Sequence, residues 1–173
     1  MEERKGIIAS HGKPLTLLGH HVKVGDVAPD VELVDNDLNS VKLGNFKGKT
    51  IILASVPSLD TSVCDLETRR FNSEAAKLSS DVVILTMSMD LPFAQKRWCG
   101  AAGVDRVKTL SDHREAAFGS AYGVLIKELR LLARAVFVID KEGKIRYVQL
   151  VPDTSQEPKY EPILEVVRKL SDL

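Results

Sequence analysis

Apolar and polar positions alternate along this chain in blocks that predict strands followed by helices. Two continuous apolar runs, residues 50–56 and 82–87, have the length and the β-branched content of buried strands. After the first run, apolar residues recur every three or four positions from residue 64 to about residue 79, which predicts a helix. After the second run, Pro92 suits the start of another helix and Gly100 suits its end.

The remaining pattern predicts two hairpins near the amino terminus, and a strand pair with a helix near the carboxyl terminus. Strands that alternate with helices and close on a hairpin indicate an α/β fold with a mixed sheet covered on both faces. No internal repeat, low-complexity segment or linker interrupts the chain, so residues 1–173 are expected to form a single domain. The predicted elements are strands at 7–10, 15–18, 31–34, 41–43, 107–110, 135–139 and 145–150, and helices at 115–122 and after residue 158.

Composition fits a compact protein and argues against a nucleic-acid or membrane partner. The 24 basic and 24 acidic side chains give zero formal net charge, whereas binding to nucleic acid or to an anionic membrane favours clustered Lys and Arg. The amino-terminal residues contain no apolar segment of signal-peptide length, and no apolar run is long enough to cross a bilayer. We therefore expect a cytoplasmic protein that binds neither nucleic acid nor membranes.

The chain contains two cysteines, Cys64 and Cys99. Two cysteines in a chain without a secretory signal indicate redox or catalytic use rather than a structural disulfide framework. Their wide separation is not that of a Cys-x-x-Cys motif, and the four histidines show no metal-ligand spacing around them. The sequence also has no Gly-rich phosphate loop, so we expect neither a metal ion nor a bound cofactor.

The position of Cys64 at the predicted junction of a strand and a helix favours a reactive thiol. Pro57 ends the preceding strand, because proline cannot donate to a sheet ladder. The free N–H groups and the positive end of the dipole at a helix start stabilise a thiolate, and Thr61 places a hydroxyl three residues earlier. The alternative is an inert, buried cysteine, since free cysteine often behaves as a small hydrophobic residue.

A second unusual position is Arg134, which interrupts the otherwise apolar run 131–139. A buried guanidinium is costly unless an anion or several acceptors compensate it. The residues alone leave three possibilities for this cation: a structural carboxylate, exposure at the end of a strand, or the Cys64 thiolate. Two carboxylates close to Cys64 in sequence, Asp65 and Glu67, would oppose a thiolate and are expected to point to solvent.

Two longer motifs resemble those of the peroxiredoxins. The pattern Pro-x-x-x-Thr-x-x-Cys at a strand-to-helix junction is similar to the peroxiredoxin active-site signature, and it stands here as PSLDTSVC at residues 57–64. That longer run resembles the thiol peroxidase branch, as does MDLPFAQKRWCG at residues 89–100, which is similar to the segment with the branch's second cysteine. The resemblance covers most of the chain. It implies a thioredoxin-like fold with a central mixed β-sheet flanked by helices and an amino-terminal β-hairpin extension.

The resemblance also implies an activity and a role for each candidate residue. It implies a thiol-dependent peroxidase that reduces hydrogen peroxide and organic hydroperoxides to water or alcohols, with Cys64 as the attacking sulfur. It assigns Arg134 to stabilising the thiolate and polarising the peroxide. Thr61 can orient the peroxide, and Pro57 either shields the site from water or only ends the strand. Cys99 is implied as the resolving residue, which forms an intramolecular disulfide with Cys64 that thioredoxin reopens. Family members commonly form homodimers, so a homodimer is expected.

The alternatives left open are an inert Cys99, a peroxide sensor that passes its disulfide to a partner, and a binding module that has the fold without turnover. A disulfide needs its two Cα atoms to be roughly 4.4–6.8 Å apart. If the cysteines lie on different helices, this requirement predicts local unwinding around Cys64, Cys99 or both. Trp98, next to Cys99, should report that motion by its fluorescence.

Overall fold

The structure is a computed structural model that describes residues 1–104 and 106–171. Within these residues the chain forms eleven strands, four α-helices and a short 3-10 helix at Leu43–Phe46, and none of the helices is long and apolar enough to span a membrane. The strands are β1 (Glu3–Ser10), β2 (Lys13–Leu18), β3 (Glu32–Val34), β4 (Ser40–Lys42), β5 (Thr50–Ser55), β6 (Val82–Ser88), β7 (Lys108–Ser111), β8 (Leu125–Ile126), β9 (Leu131–Leu132), β10 (Ala135–Ile139) and β11 (Ile145–Leu150). The α-helices are α1 (Ser62–Ala75), α2 (Pro92–Ala102), α3 (Ala117–Tyr122) and α4 (Tyr160–Ser171).

Seven of these strands form a central sheet in the order β11-β10-β5-β6-β7-β3-β4. Strands β5, β6 and β7 run parallel to one another, and the other neighbours in the sheet are antiparallel. The other four described strands form a second sheet in the order β1-β2-β8-β9, which begins with the amino-terminal hairpin. The predicted α/β fold, with a central mixed sheet and an amino-terminal hairpin, is confirmed.

The central sheet separates two apolar cores, because successive residues of a strand point to opposite faces. In β5, Ile52 and Ala54 pack with Phe71 of α1 and with the buried residues of α4. The intervening residues Ile51 and Leu53 belong to the opposite core, which they share with β2 and α3. Helices therefore cover both faces of the sheet, as the sequence pattern predicts.

Predicted and observed elements agree best for the long apolar strands. α1 ends at Ala75 rather than near residue 79, because Leu78 still packs against the same core after the helix has ended, so apolar spacing does not show where the helix stops. The strands β8 and β9 have two residues each, which is too short for a hydrophobic period to be recognised in the sequence.

The end of α2 also differs from its prediction. The helix continues through Gly100 to Ala102, and Gly103 ends it. Gly103 has a left-handed backbone with φ 67° and donates its N–H to the Cys99 carbonyl. Glycine adopts that conformation without the strain of a Cβ atom, so the later of the two glycines ends the helix.

Four segments meet where the carboxyl ends of β5 and β6 lie side by side. Ser55 pairs with Met87 across the parallel ladder, so the loop before α1 adjoins the loop before α2. On the other edge of β5, Ser55 pairs with Ala135, the first residue of β10. Arg134 therefore lies beside the end of β5. Its carbonyl accepts the Val151 N–H at 3.0 Å, which brings the loop after β11 to the same place.

Candidate active site

Cys64 is the third residue of α1 and is 0% exposed. Thr61 caps the helix, since its Oγ1 accepts the Cys64 N–H at 3.3 Å and its hydroxyl donates to the Ser58 carbonyl at 3.0 Å. Pro57 is buried two residues after the end of β5. The structure thus brings three of the predicted site residues, Cys64, Thr61 and Pro57, to one strand-to-helix junction.

Arg134 directs its guanidinium at Cys64. Its Nη2 donates to Cys64 Sγ at 3.1 Å, and its Nη1 donates to Glu67 Oε1 at 3.3 Å. The Thr154 carbonyl accepts from Nη2 at 2.8 Å and from Nε at 3.3 Å. The side chain of Arg134 is 1% exposed. Of the three possibilities for this cation, the structure shows two together, a thiol sulfur and a buried carboxyl group, and excludes exposure at a strand end.

The prediction that Glu67 points to solvent is wrong. Its side chain is 0% exposed and forms a buried salt bridge with Arg134. Cys64 and Glu67 are three residues apart, so they share one face of α1; this spacing is the sequence signal by which Glu67 could have been placed in the site. Within the described residues, Glu67 Oε2 has no hydrogen-bond partner, so half of this carboxyl group is buried without compensation.

Burial raises the pKa of Glu67 to about 7, because desolvation disfavours the carboxylate more strongly than Arg134 favours it. A thiolate at Cys64 and a carboxylate at Glu67 would both depend on one guanidinium, and two like charges at such close range disfavour each other. The site therefore best accommodates a protonated Glu67, with the charge of Arg134 directed to the sulfur. In that state the carboxyl group still accepts from Nη1 and helps to orient the guanidinium.

The loop before α1 is held by Asp90, which follows β6. Asp90 Oδ1 accepts the Ser58 hydroxyl at 2.7 Å, and Oδ2 accepts the Leu59 N–H at 2.8 Å. The Ser88 hydroxyl also donates to Oδ2 at 2.7 Å. This carboxylate joins the loop that precedes the cysteine to the segment that begins α2. Sequence reasoning missed this role, although Asp90 directly follows one of the strongest predicted strands.

Trp98 of α2 packs against a small apolar cluster formed by Val56, Leu59 and Cys64. Its Nε1 donates to Asp65 Oδ1 at 2.9 Å. Arg69 donates to the other oxygen of Asp65 at 2.9 Å, and its guanidinium lies 5.8 Å from the centroid of the Trp98 ring. Asp65 is therefore partly exposed, in keeping with the prediction, but its carboxylate also connects α1 to α2.

A groove of about 580 Å³ lies on the outer side of Leu59 and Trp98. Leu91 and Phe93 in its lining are 53% and 66% exposed. Cys64 does not line this groove, whereas Leu59 and Trp98 both line it and belong to the apolar contacts around Cys64.

Cys99 lies near the end of α2, with its side chain against β7. It is partly buried, and its Sγ lies 3.5 Å from Thr109 Oγ1 on β7. Successive helical residues point about 100° apart, which is why Trp98 packs against the cluster that contains Cys64 while Cys99 contacts β7. Both cysteines are free thiols. The structure therefore does not bring the two predicted redox cysteines together, and a disulfide between them requires movement.

The chemistry that this arrangement supports follows from its parts. A sulfur at a helix start with a guanidinium donor is suited to act as a nucleophile, and the same donors suit negative charge that develops on a leaving oxygen. Within the part of the chain that the structure describes, no group of three or more His, Cys, Asp or Glu side chains is arranged to hold a metal ion. The site as described thus supports chemistry at the sulfur of Cys64.

Comparison with known proteins gives a family and close relatives. The Redoxin family model matches residues 23–164. A thiol peroxidase of Bacillus subtilis is 55% identical over 163 residues, which cover 94% of this chain and 97% of the relative. A thiol peroxidase of Oceanobacillus iheyensis is 58% identical over 156 residues, which cover 90% of this chain and 94% of the relative.

Solved structures agree with this result. The crystal structure of a peroxiredoxin-like protein from Aquifex aeolicus superposes with a TM-score of 0.90 and 44% identity, and the match covers 96% of this chain and 97% of that one. A thiol peroxidase from Chromobacterium violaceum superposes with a TM-score of 0.84 over 94% of this chain and 95% of its own. At 20% identity, that second likeness shows the fold alone.

Proposed function

The chain belongs to the Redoxin family and is a thiol-dependent peroxidase, and from this premise we propose that Cys64 is the sulfur that attacks the hydroperoxide. The observation that carries this proposal is the 3.1 Å contact between Arg134 Nη2 and Cys64 Sγ. A permanently charged guanidinium at that distance stabilises a thiolate over a thiol. The sulfur of Cys99, in contrast, contacts the neutral hydroxyl of Thr109.

The proposed reaction is a displacement at oxygen. The Cys64 thiolate forms an S–O bond to one peroxide oxygen while the O–O bond breaks, and the departing oxide takes a proton from solvent and leaves as water or an alcohol. Arg134, the main-chain N–H groups at the start of α1 and the Thr61 hydroxyl stabilise the charge that moves toward the leaving oxygen. Thr61 donates to the Ser58 carbonyl in the reduced protein, so it orients the peroxide by turning its hydroxyl toward the substrate. Pro57, buried at the same junction, shields the site from water.

Cys99 resolves the sulfenic acid in this proposal. Its thiol attacks the oxidised sulfur, releases water and leaves an intramolecular Cys64–Cys99 disulfide. Because the Cys99 sulfur contacts Thr109 and Cys64 is fully buried on a different helix, this step needs local unwinding of α1, α2 or both. A thiolate of reduced thioredoxin then attacks the disulfide, and two exchanges return both cysteines to thiols.

The proposed setting is the cytoplasm, with residues 1–173 as one domain and two chains as a homodimer. A reducing compartment keeps both cysteines as thiols between cycles and supplies reduced thioredoxin. The homodimer rests on the resemblance to the thiol peroxidase branch. Sedimentation equilibrium of the reduced protein tests the dimer, and a measured mass near the 19.0 kDa of one chain contradicts it.

Peroxide consumption coupled to thioredoxin, thioredoxin reductase and NADPH tests the proposed cycle. Wild type is expected to turn over, and Cys64→Ser is expected to be inactive. Cys99→Ser should undergo the first oxidation at the wild-type rate but should not turn over, because no disulfide forms. Turnover by Cys64→Ser contradicts the proposal. Fast oxidation without thioredoxin turnover in wild type favours the peroxide sensor, and no oxidation of either cysteine favours the binding module.

A further inference from the structure

The amino-terminal hairpin supplies no residue to the proposed chemistry, yet its turn contacts the loop that follows β11. We refer to residues 9–12 as the hairpin turn and to residues 152–155 as the β11 loop. Ala9 forms two main-chain hydrogen bonds with the β11 loop, one as donor at 2.8 Å and one as acceptor at 3.0 Å. The Thr154 hydroxyl donates to Ser10 Oγ at 2.7 Å. The two segments are therefore joined through both main chain and side chains.

Asp153 lies at the centre of this contact. Its Oδ1 accepts the His11 N–H at 3.1 Å, and its Oδ2 accepts the Gly12 N–H at 3.0 Å. Ser155 donates its hydroxyl and its N–H to Oδ1 at 2.6 and 2.9 Å. These hydrogen bonds, those from Ser155 foremost, hold the pKa of Asp153 well below its usual range. His11 has φ 48°, a left-handed backbone that is costly for a residue with a Cβ atom, so the carboxylate also stabilises the turn itself.

The β11 loop in turn holds Arg134. The Thr154 carbonyl accepts from Nη2 at 2.8 Å and from Nε at 3.3 Å, and the same Nη2 donates to Cys64 Sγ at 3.1 Å. The guanidinium is planar and rigid, so holding Nε and Nη2 on one carbonyl sets the direction in which Nη2 reaches the sulfur and Nη1 reaches Glu67. A displacement of Thr154 therefore moves the Arg134–Cys64 contact without any change in the side chains of the site.

We propose that the hairpin turn and Asp153 position Arg134 at Cys64, so that Asp153 is a positioning residue for the peroxidase reaction. The proposal rests on the proposed role of Arg134 at the Cys64 sulfur. Asp153 acts on the sulfur only through the Thr154 carbonyl and the guanidinium of Arg134. The second sheet then has a mechanical role in the chemistry, because it fixes the loop that orients the arginine.

The test compares Asp153→Ala and Asp153→Asn with Glu128→Ala in the reduced, full-length protein. Glu128 is a matched control, because its two oxygens accept the Thr16 N–H at 2.8 Å and the Thr16 hydroxyl at 2.7 Å and so hold the same hairpin at β2, away from the β11 loop. Two quantities are measured. One is the rate constant for the first oxidation of Cys64 by hydroperoxide, and the other is the pH at which alkylation of Cys64 reaches half of its maximal rate.

Asp153→Ala is expected to lower the rate constant about tenfold. Complete removal of one fixed donor to a developing anion lowers a rate by roughly 10²–10³, and this variant displaces the donor without removing it. It should also move the alkylation midpoint to higher pH, because a displaced guanidinium stabilises the thiolate less. Asp153→Asn keeps one acceptor oxygen and should fall between Asp153→Ala and wild type. Glu128→Ala should leave both quantities unchanged.

Unchanged Cys64 kinetics in both Asp153 variants would overturn the proposal. An equal loss in Glu128→Ala would also overturn it, since the effect would then belong to hairpin stability in general. If Asp153→Ala does not fold, Ser10→Ala takes its place in the test. This variant removes only the contact with the Thr154 hydroxyl, and both quantities must shift in the same direction by a smaller amount. The proposed function fails by a different result, namely turnover by Cys64→Ser.

Discussion

Cys64 and Cys99 are the two thiols of one chain, and they differ in burial and in the group that lies beside the sulfur. Cys64 is fully buried in the first turn of α1, with the Arg134 guanidinium 3.1 Å from its sulfur. Cys99 lies near the end of α2, is partly exposed, and has its sulfur 3.5 Å from the Thr109 hydroxyl. Of the two sulfurs, Cys64 is the one beside a fixed positive charge. The difference teaches how one chain can give its two thiols unlike surroundings, and it is the basis of the proposed attack by Cys64 and the proposed movement of Cys99.

Trp98 and Asp65 connect the two helices that carry these cysteines. Trp98 precedes Cys99 in α2 and packs against the cluster that contains Cys64, and Asp65 of α1 accepts its indole N–H. In the proposed cycle, movement of Cys99 toward Cys64 disturbs these contacts. Formation of the proposed disulfide therefore depends on the interface between α1 and α2.

The largest expected effect comes from making the surroundings of Cys64 resemble those of Cys99. Arg134→Met removes the guanidinium and should lower the rate constant of the first oxidation by about 10²–10³, which is the usual cost of losing one fixed donor to a developing anion. Stopped-flow fluorescence of Trp98, the single tryptophan of the chain, measures this rate. Arg146→Met, which removes a half-exposed partner of Asp140, is the control. A rate within threefold of wild type for Arg134→Met would contradict the proposal that the guanidinium distinguishes Cys64 from Cys99.

The next effect concerns the loop that precedes Cys64. Asp90→Ala removes three hydrogen bonds, those from Ser58, Leu59 and Ser88, and should lower the free energy of unfolding by about 2–3 kcal/mol. Denaturant titration measures this change, and the first oxidation should slow as the loop loosens. Asp37→Ala removes an exposed salt bridge with Lys96 on α2 and should change stability by less than about 1 kcal/mol. Equal stability losses in the two variants would show that Asp90 has no special role.

A smaller effect is expected at the interface between α1 and α2. Asp65→Ala removes the acceptor of the Trp98 indole and should speed disulfide formation after the first oxidation about fivefold, the equivalent of one hydrogen bond of about 1 kcal/mol. The slow phase of Trp98 fluorescence after mixing with hydroperoxide measures this step. Glu165→Gln disrupts a similar i,i+4 surface pair with Lys169 on α4 and should leave the slow phase unchanged. A slower or unaltered phase in Asp65→Ala would argue that the α1–α2 contact does not limit resolution.

The last expected effect is a change in how stability depends on pH. The pKa of Glu67 is raised to about 7 in the folded protein by burial, so the folded state binds a proton that the unfolded state releases between about pH 4.5 and 7. The contribution of this group to stability is therefore fully present below about pH 4.5 and is lost as the pH rises through 7. Denaturant titrations of reduced wild type should show this decline, and Glu67→Gln should flatten it. The same slope in both proteins would show that Glu67 does not titrate in this range.

The sequence predicts well those regions whose structure follows from the side chains of neighbouring residues. The continuous apolar runs of β5, β6 and β10 give those strands within about a residue, because burial on both sides demands apolar side chains. The junction between β5 and α1 is predicted equally well, because the proline, the capping hydroxyl and the helical spacing all lie next to it in the sequence.

The parts that were missed depend on partners far away in the sequence. Glu67 is buried because β10 places Arg134 beside the end of β5, and a charged residue on a helix is expected at the surface unless that partner is known. Asp65 meets Trp98 only through the docking of α2 on α1. The Thr154 carbonyl that holds Arg134 is a main-chain group. Every residue has such a carbonyl, so the amino-acid sequence does not show which one accepts.

The difference between the two cysteines is tested most directly by the intact mass and peptide map of pre-reduced protein after one equivalent of hydroperoxide. Wild type is expected to lose two hydrogens and to yield a cross-linked Cys64–Cys99 peptide, while Cys99→Ser should gain one oxygen located on Cys64. Oxygen located on Cys99, or a Cys64→Ser protein that is oxidised as fast as wild type, would contradict the account.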